Sequence, residues 1–171
     1  MAMEEDRDDE LEALARAIAE QSEALAHLRF KFEVQQMILS GGRAAWVDET
    51  TQELEEAIEE VHRADVAFRH RLSAAASRVF GLSPESTLRE VAAVAGEPWR
   101  YIFEQGREDL RRAIEAVGRL CTENRKLLAR GFLATSEALA VLGVETAGLS
   151  YDATGAPQRS RAAAAILNER V

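Results

Sequence analysis

The sequence predicts an all-α fold: an elongated antiparallel bundle, or coiled coil, of three long helices with one short linker helix and a flexible C-terminal tail. Three observations carry this. Alanine, leucine, glutamate and arginine dominate a chain of 171 residues that is 47% hydrophobic and 30% charged but only 6% aromatic, which is the composition of long helices. Three prolines and ten glycines, mostly clustered, leave long stretches without breakers and little room for a sheet. Apolar residues recur at heptad spacing in three separate stretches.

The first stretch predicts a helix over about residues 6–39. Glu4, Glu5, Asp6, Asp8, Asp9 and Glu10 place acids in its opening turns, where the positive end of the helix dipole favours them. Leu11, Leu14, Ile18, Leu25, Leu28, Phe32 and Leu39 then fit a heptad whose only polar slots are Gln21 and Gln35. Ser40-Gly41-Gly42 ends it. The second helix is expected over 45–80, with a seam of Val47, Thr50, Leu54, Ala57, Val61, Ala64, Phe68, Leu72, Ala75 and Val79 and a charged face of Glu53, Glu56, Glu59, Glu60 and Arg63. A short connection between helices of near-equal length implies an antiparallel hairpin.

Phe80-Gly81-Leu82-Ser83-Pro84 stops the second helix. A linker helix is expected over 87–95, opened by a capping box in which Thr87 is followed three residues later by Glu90. Pro98 then starts the longest helix, over 98–142; proline in the first turn gives up an N–H that has no partner there anyway. Its seam has two registers. One is Phe103, Leu110, Val117, Asn124, Gly131 and Ala138; the other is Gly106, Ala113, Leu120, Leu127, Ala134 and Val141. Roughly 45 residues at about 1.5 Å per residue span about 67 Å, which demands long partners. Residues 1–142 therefore read as the helical bundle. Residues 143–171 read as a mobile tail: Gly143, Gly148, Gly155 and Pro157 break up its first part. An alanine-rich stretch, 161–170, is a possible short helix with Ile166 and Leu167 as its main apolar residues. That is too little apolar surface to hold a docked helix alone, so folding on a partner is the expectation.

Net charge is −9, which argues against nucleic acid, whose phosphates need a basic face, and against anionic membrane. The longest purely apolar run, residues 162–167, is far too short to be inserted in a bilayer. An acidic N-terminus is not a signal peptide, and the single cysteine, Cys121, fits a reducing compartment; the expected location is cytoplasmic. Glu59-x-x-His62 has the ligand spacing of di-iron bundles, but such a site needs a second Glu-x-x-His and two more inward glutamates. His27 and His70 have no glutamate three residues before them, and Glu59 lies beside the seam. The pair reads as a solvated acidic face. Cys121, next to Leu120, reads as packed. Trp46 and Trp99, at helix starts, read as covers for bundle ends.

Distributed features carry a family resemblance. Gly41-Gly42-Arg43 and Trp46 mark the first helix junction. Asn124-Arg125-x-Leu127-Leu128 lies late in the last long helix. Gly143-Val144-Glu145 and Tyr151-Asp152-Ala153-Thr154-Gly155 follow it, the latter close to a Tyr-x-x-x-Gly element. Together they span nearly the whole chain, which resembles the flagellar export chaperones of the FlgN type. The resemblance implies a small chaperone of the flagellar type III export system, without catalysis or cofactor. Its clients would be hook-associated proteins of the hook–filament junction, delivered to the export gate and ATPase components. It also implies that Tyr151 is the gate contact and that the end of the last helix and the terminal segment form the client site. The candidates there are Phe132, Leu133, Leu139, Leu142, Ile166 and Leu167. The alanine-rich end of the tail departs from the simple pattern.

Each candidate has a plainer reading. The apolar residues past Asn124 either overhang shorter partners or pack on the linker helix near Leu88 and Val91, with a kink at Gly131 as a further option. Asn124, at a seam position, either fixes register or is a satisfied polar residue near the surface. Tyr151 is either the gate contact or a loop tyrosine. At the level of the whole chain, the alternative to a chaperone is a non-enzymatic scaffold whose seam is a homo-oligomer interface.

Overall fold

A computed structural model describes residues 2–141, 149–151 and 157–159. It shows four helices, α1 (Ala2–Ser40), α2 (Val47–Ala74), α3 (Leu88–Val94) and α4 (Trp99–Val141), and two short strands, β1 (Leu149–Tyr151) and β2 (Pro157–Arg159). A 3-10 turn, Ala44–Trp46, leads into α2, and a π turn, Ala75–Val79, extends it. The all-α bundle expected from the heptads is the fold.

The α1 seam is buried at Leu11, Leu14, Ile18, Gln21, Leu25, Leu28, Phe32 and Gln35, including both polar slots. Every one was expected from spacing alone. Gly42, at a φ of 64°, supplies the left-handed residue that lets α1 end and the chain reverse. α2 then runs back along α1: Gln35 is beside Thr51, Lys31 beside Glu53, His27 beside Glu60 and Glu10 beside Arg78. The π turn at the end of α2 sets Ala75 and Ala76 into the core.

α3 closes the end of the bundle where α1 starts. Thr87 caps it through the expected box: Glu90 N–H donates to Thr87 Oγ1 at 3.4 Å, and Thr87 N–H donates to Glu90 Oε2 at 2.7 Å. Leu88, Val91, Ala92 and Ala95 pack there with Leu11, Leu14 and Phe103, and Trp99 stacks on Phe103 at 5.9 Å. Fully burying a large apolar side chain such as Phe103 or Leu14 stabilises by about 1.5–3 kcal/mol.

α4 runs antiparallel to α2 and so parallel to α1. Gly106 lies against Ile18, and Asn124 against Phe32 and Gln35. A Cβ at Gly106 would stand 2.5 Å from Ile18 Cγ2, so only glycine permits this approach. α1 is the shared partner of the other two long helices; it packs along both, while α2 and α4 do not pack directly on one another to a comparable extent. Within the tail, β1 and β2 pair antiparallel, with Leu149 opposite Arg159 and Tyr151 opposite Pro157. Leu142 and the expected helix at 161–170, with Ile166 and Leu167, lie outside the described residues.

Candidate functional site: the projecting end of α4

Three hydrogen bonds fix how far α4 outruns its neighbours. Gln36 Nε2 donates to Glu123 at 2.8 Å, and Asn124 Nδ2 donates to Gln35 Oε1 and to the Phe32 carbonyl at 3.1 and 2.9 Å. These pairs lie 87, 89 and 92 residues apart in sequence. At the middle value Ser40, the last residue of α1, is level with Ala129 of α4. α2 begins at the same level, because Thr51 sits beside Gln35. Residues 130–141 therefore extend past both partners by about 18 Å, at about 1.5 Å per residue.

The seam registers stop where the partners stop. Phe103, Leu110 and Asn124 are buried and Leu127 is half-buried, but Gly131, Ala134 and Ala138 are exposed and Val141 is 87% exposed. On the projecting turns, Leu133 is 59% exposed while Phe132 and Leu139 are half-buried. The linker helix is not near them; Leu88 and Val91 pack at the opposite end of the bundle. α4 also runs unbroken through Gly131. Trp46 is 53% exposed at the same end from which α4 projects. It therefore stands open to solvent there, while Trp99 is half-buried against Phe103. Tyr151 lies in β1, ten residues beyond the last residue of α4.

At the root of the projection a polar layer crosses all three long helices. Asn124 is 2% exposed and Gln35 is 3% exposed. Asn124 donates to Gln35, and Gln35 Nε2 donates to Thr51 Oγ1 at 3.4 Å. Thr51 Oγ1 in turn donates to the Val47 carbonyl. Asn124 is thus a buried seam residue with named partners on α1. Its Oδ1 is buried without a hydrogen-bond partner among the described residues. A register slip would bury the amides without partners, at about 1–3 kcal/mol per lost partner.

The remaining electrostatics are surface networks. On α4, Arg111 bridges Glu108 and Glu115; its hydrogen bond holds the Glu108 carboxyl below the usual range, and the two glutamates push the Arg111 guanidinium up. The Thr87 backbone N–H, then its hydroxyl, hold the Glu90 carboxyl below its ordinary value. Glu59 and His62 are both exposed. Among the described residues, no three His, Cys, Asp or Glu side chains are grouped to hold a metal, and no helix is long and apolar enough to cross a membrane.

The model of the FlgN protein family matches residues 1–159. The chain belongs to the FlgN family. The match spans the bundle and the β1–β2 pairing, and it agrees with the resemblance read from the junction, the Asn124 run and the tail. FlgN proteins are flagellar export chaperones as a class, so this chain is a chaperone of flagellar substrate proteins in kind. No curated protein and no solved structure matches the chain.

Periodicity located the projecting residues, because it showed a helix longer than its partners. It missed the exposed apolar residues that lie off the seams, such as Ile58 and Ile114, 45% and 57% exposed. The only available signal was a second apolar stripe on α4, Ile114, Cys121 and Leu128 at seven-residue steps.

Proposed function

We propose that this chain is a cytoplasmic chaperone of the flagellar type III secretion system that holds hook-associated proteins before export and delivers them to the export gate and ATPase components. The observation that carries this reading is the projection of α4 beyond α1 and α2, with Leu133 exposed and Phe132 and Leu139 half-buried on turns that no other long helix reaches. An amphipathic client helix laid alongside those turns shields its own apolar face from aggregation. Leu142, Ile166 and Leu167 extend the client site into the tail. Tyr151, carried by β1, is the gate contact by its match to the Tyr-x-x-x-Gly element. Asn124 fixes the register of the helix that presents the site.

The scaffold alternative is disfavoured by the use of the seams. The heptad positions of α1 are buried against α2 and α4 of the same chain, so they are not available to a second copy. The deciding experiment removes residues 143–171 and measures binding to a purified hook-associated protein and to the soluble domain of the export gate. The expected result is loss of client or gate binding with helicity and melting nearly unchanged. Unfolding of the rod on deletion would make the tail structural and overturn this assignment of parts. Tyr151→Ala is expected to weaken the gate interaction and leave client binding intact.

A further inference from the structure

The third interface of the bundle is open. In a closed three-helix bundle every pair of helices packs, whereas here α1 packs on both neighbours and α2 and α4 stand apart. The α1 surface explains it. Lys31 faces α2 and Gln36 faces α4; five residues separate them, roughly 140° of helix phase. The three long helices therefore occupy three corners of a four-helix arrangement, and the corner opposite α1 is vacant.

Ion pairs and hydrogen bonds show which side chains face that corner. Glu53 and Glu60 of α2 bind Lys31 and His27, on the side of α1 away from α4. Ile58 lies two residues from Glu60 and five from Glu53, roughly 140–160° around the helix from both, so it is on the edge of α2 toward α4. Glu123 of α4 binds Gln36, on the side of α1 away from α2. Ile114 lies nine residues before it, roughly 180° around, and so is on the edge of α4 toward α2. Between these edges Val61, Val117 and Cys121 are half-buried over Leu28 and Phe32. Ile114, Cys121 and Leu128 continue at seven-residue steps toward the projecting turns, with Leu128 39% exposed.

We infer that the α2–α4 groove is the docking site for one amphipathic helix of the client, which completes a four-helix bundle and runs on into the projecting end of α4. This inference rests on the chaperone reading and extends its site along the rod. Length selects the occupant. The stripe from Ile114 to Leu139 spans about 37 Å at about 1.5 Å per residue. The alanine-rich stretch at 161–170 would cover about 15 Å as a helix, so the chain's own terminus does not fill the groove. A partner helix of roughly 25 residues does. Charge sets its orientation. Glu55 lies three residues before Ile58 on the groove edge of α2, where Asp65, seven after it, is paired with Arg69. Arg107 and Arg125 lie seven before and eleven after Ile114, on the groove edge of α4. The fitting helix carries a cation opposite Glu55 on one flank and anions opposite Arg107 and Arg125 on the other.

The test uses the full chain, with Ile58→Glu and Ile114→Glu in the groove and Leu133→Glu on the projection. All three positions are exposed, so melting is expected to hold; a drop in melting for both groove variants would show that these residues are core and overturn the groove. Two probes are titrated calorimetrically: a terminal helical segment of a hook-associated protein, and a designed 25-residue peptide with leucines at heptad spacing, lysines on one flank and glutamates on the other. The expected result is binding of both probes, weakened tenfold or more by either groove variant and by reversing the peptide's flanking charges. If the flagellar segment binds both groove variants as it binds the wild type, the groove is wrong and the chaperone reading survives. If only the designed peptide binds, with loss in the groove variants, the groove stands and the client assignment falls. If neither peptide binds, the groove inference is overturned.

Discussion

Gly106 and Gly118 lie twelve residues apart in α4, and alanine substitution is expected to move their stabilities in opposite directions. Alanine is favoured over glycine in a helix interior by about 1 kcal/mol, and that gain is common to both sites. At Gly118 nothing lies within 4 Å of the added Cβ, so the gain is expected to appear. At Gly106 the Cβ would stand 2.5 Å from Ile18 Cγ2. Ile18 is 5% exposed within the α1 seam, and relieving the contact requires α1 and α4 to separate or Ile18 to leave its rotamer. Overpacking of this kind costs about 1–3 kcal/mol, which leaves a net loss of up to about 2 kcal/mol after the propensity gain. For a chain of this size 1 kcal/mol corresponds to about 2–4 °C in Tm. Thermal unfolding followed by circular dichroism is expected to place Gly118→Ala a few degrees above the parent and Gly106→Ala a few degrees below it. In a double-mutant cycle with Ile18→Ala, which deletes the offending methyl, the penalty at Gly106 is expected to disappear. A Tm for Gly106→Ala equal to or above that of Gly118→Ala would refute the close approach of α1 and α4.

Asn124→Ala is expected to lower stability by about 1–3 kcal/mol, because Gln35 Oε1 loses its donor in a buried layer. Replacing both Asn124 and Gln35 by leucine is expected to restore most of that loss in chemical denaturation, since no buried partner remains unpaired. Thr87→Ala is expected to cost about 1 kcal/mol through loss of the α3 cap. The Glu90 carboxyl, held below its ordinary value of 4.5 by Thr87, contributes stability above the unfolded value. That contribution is lost as pH falls through the folded value. The Tm difference between the parent and Glu90→Gln is therefore expected at neutral pH and absent in strong acid; a difference that grows on acidification would contradict the capping geometry.

Most of the bundle was legible because the seam of α1 is a strict heptad. Leu11 to Gln35 are buried at the expected steps, including the two glutamines, since a helix with partners on two sides must bury one stripe along its whole length. The capping box at Thr87 and the breaks at Gly42 and Phe80 were legible for a local reason: each is fixed by neighbours within a few residues. The projection of α4 was readable as a length mismatch past Asn124, but the residue at which it starts was not. Placing it near Ala129 needed the pairings of Gln36 with Glu123 and Gln35 with Asn124, which lie 87 and 89 residues apart. The tail gave weaker signals. Its glycines suggested irregular chain, while the structure pairs Leu149 with Arg159 and Tyr151 with Pro157.

The sequence by itself determined the helices, their order and the stripe that α1 would bury, because hydrophobic period, caps and breakers act over a turn or two of chain; the α4 seam past Leu127 is exposed instead. It also carried the family, through features spread from Gly41 to Gly155. Only the tertiary structure decided how the three long helices share their faces. Period alone marks one seam per helix and cannot say whether a seam meets one neighbour or two. That choice depends on the angle between partners around α1, set by contacts such as Gly106 against Ile18 and Asn124 against Gln35. It is that angle which leaves α2 and α4 apart, with Ile58 and Ile114 facing an empty corner.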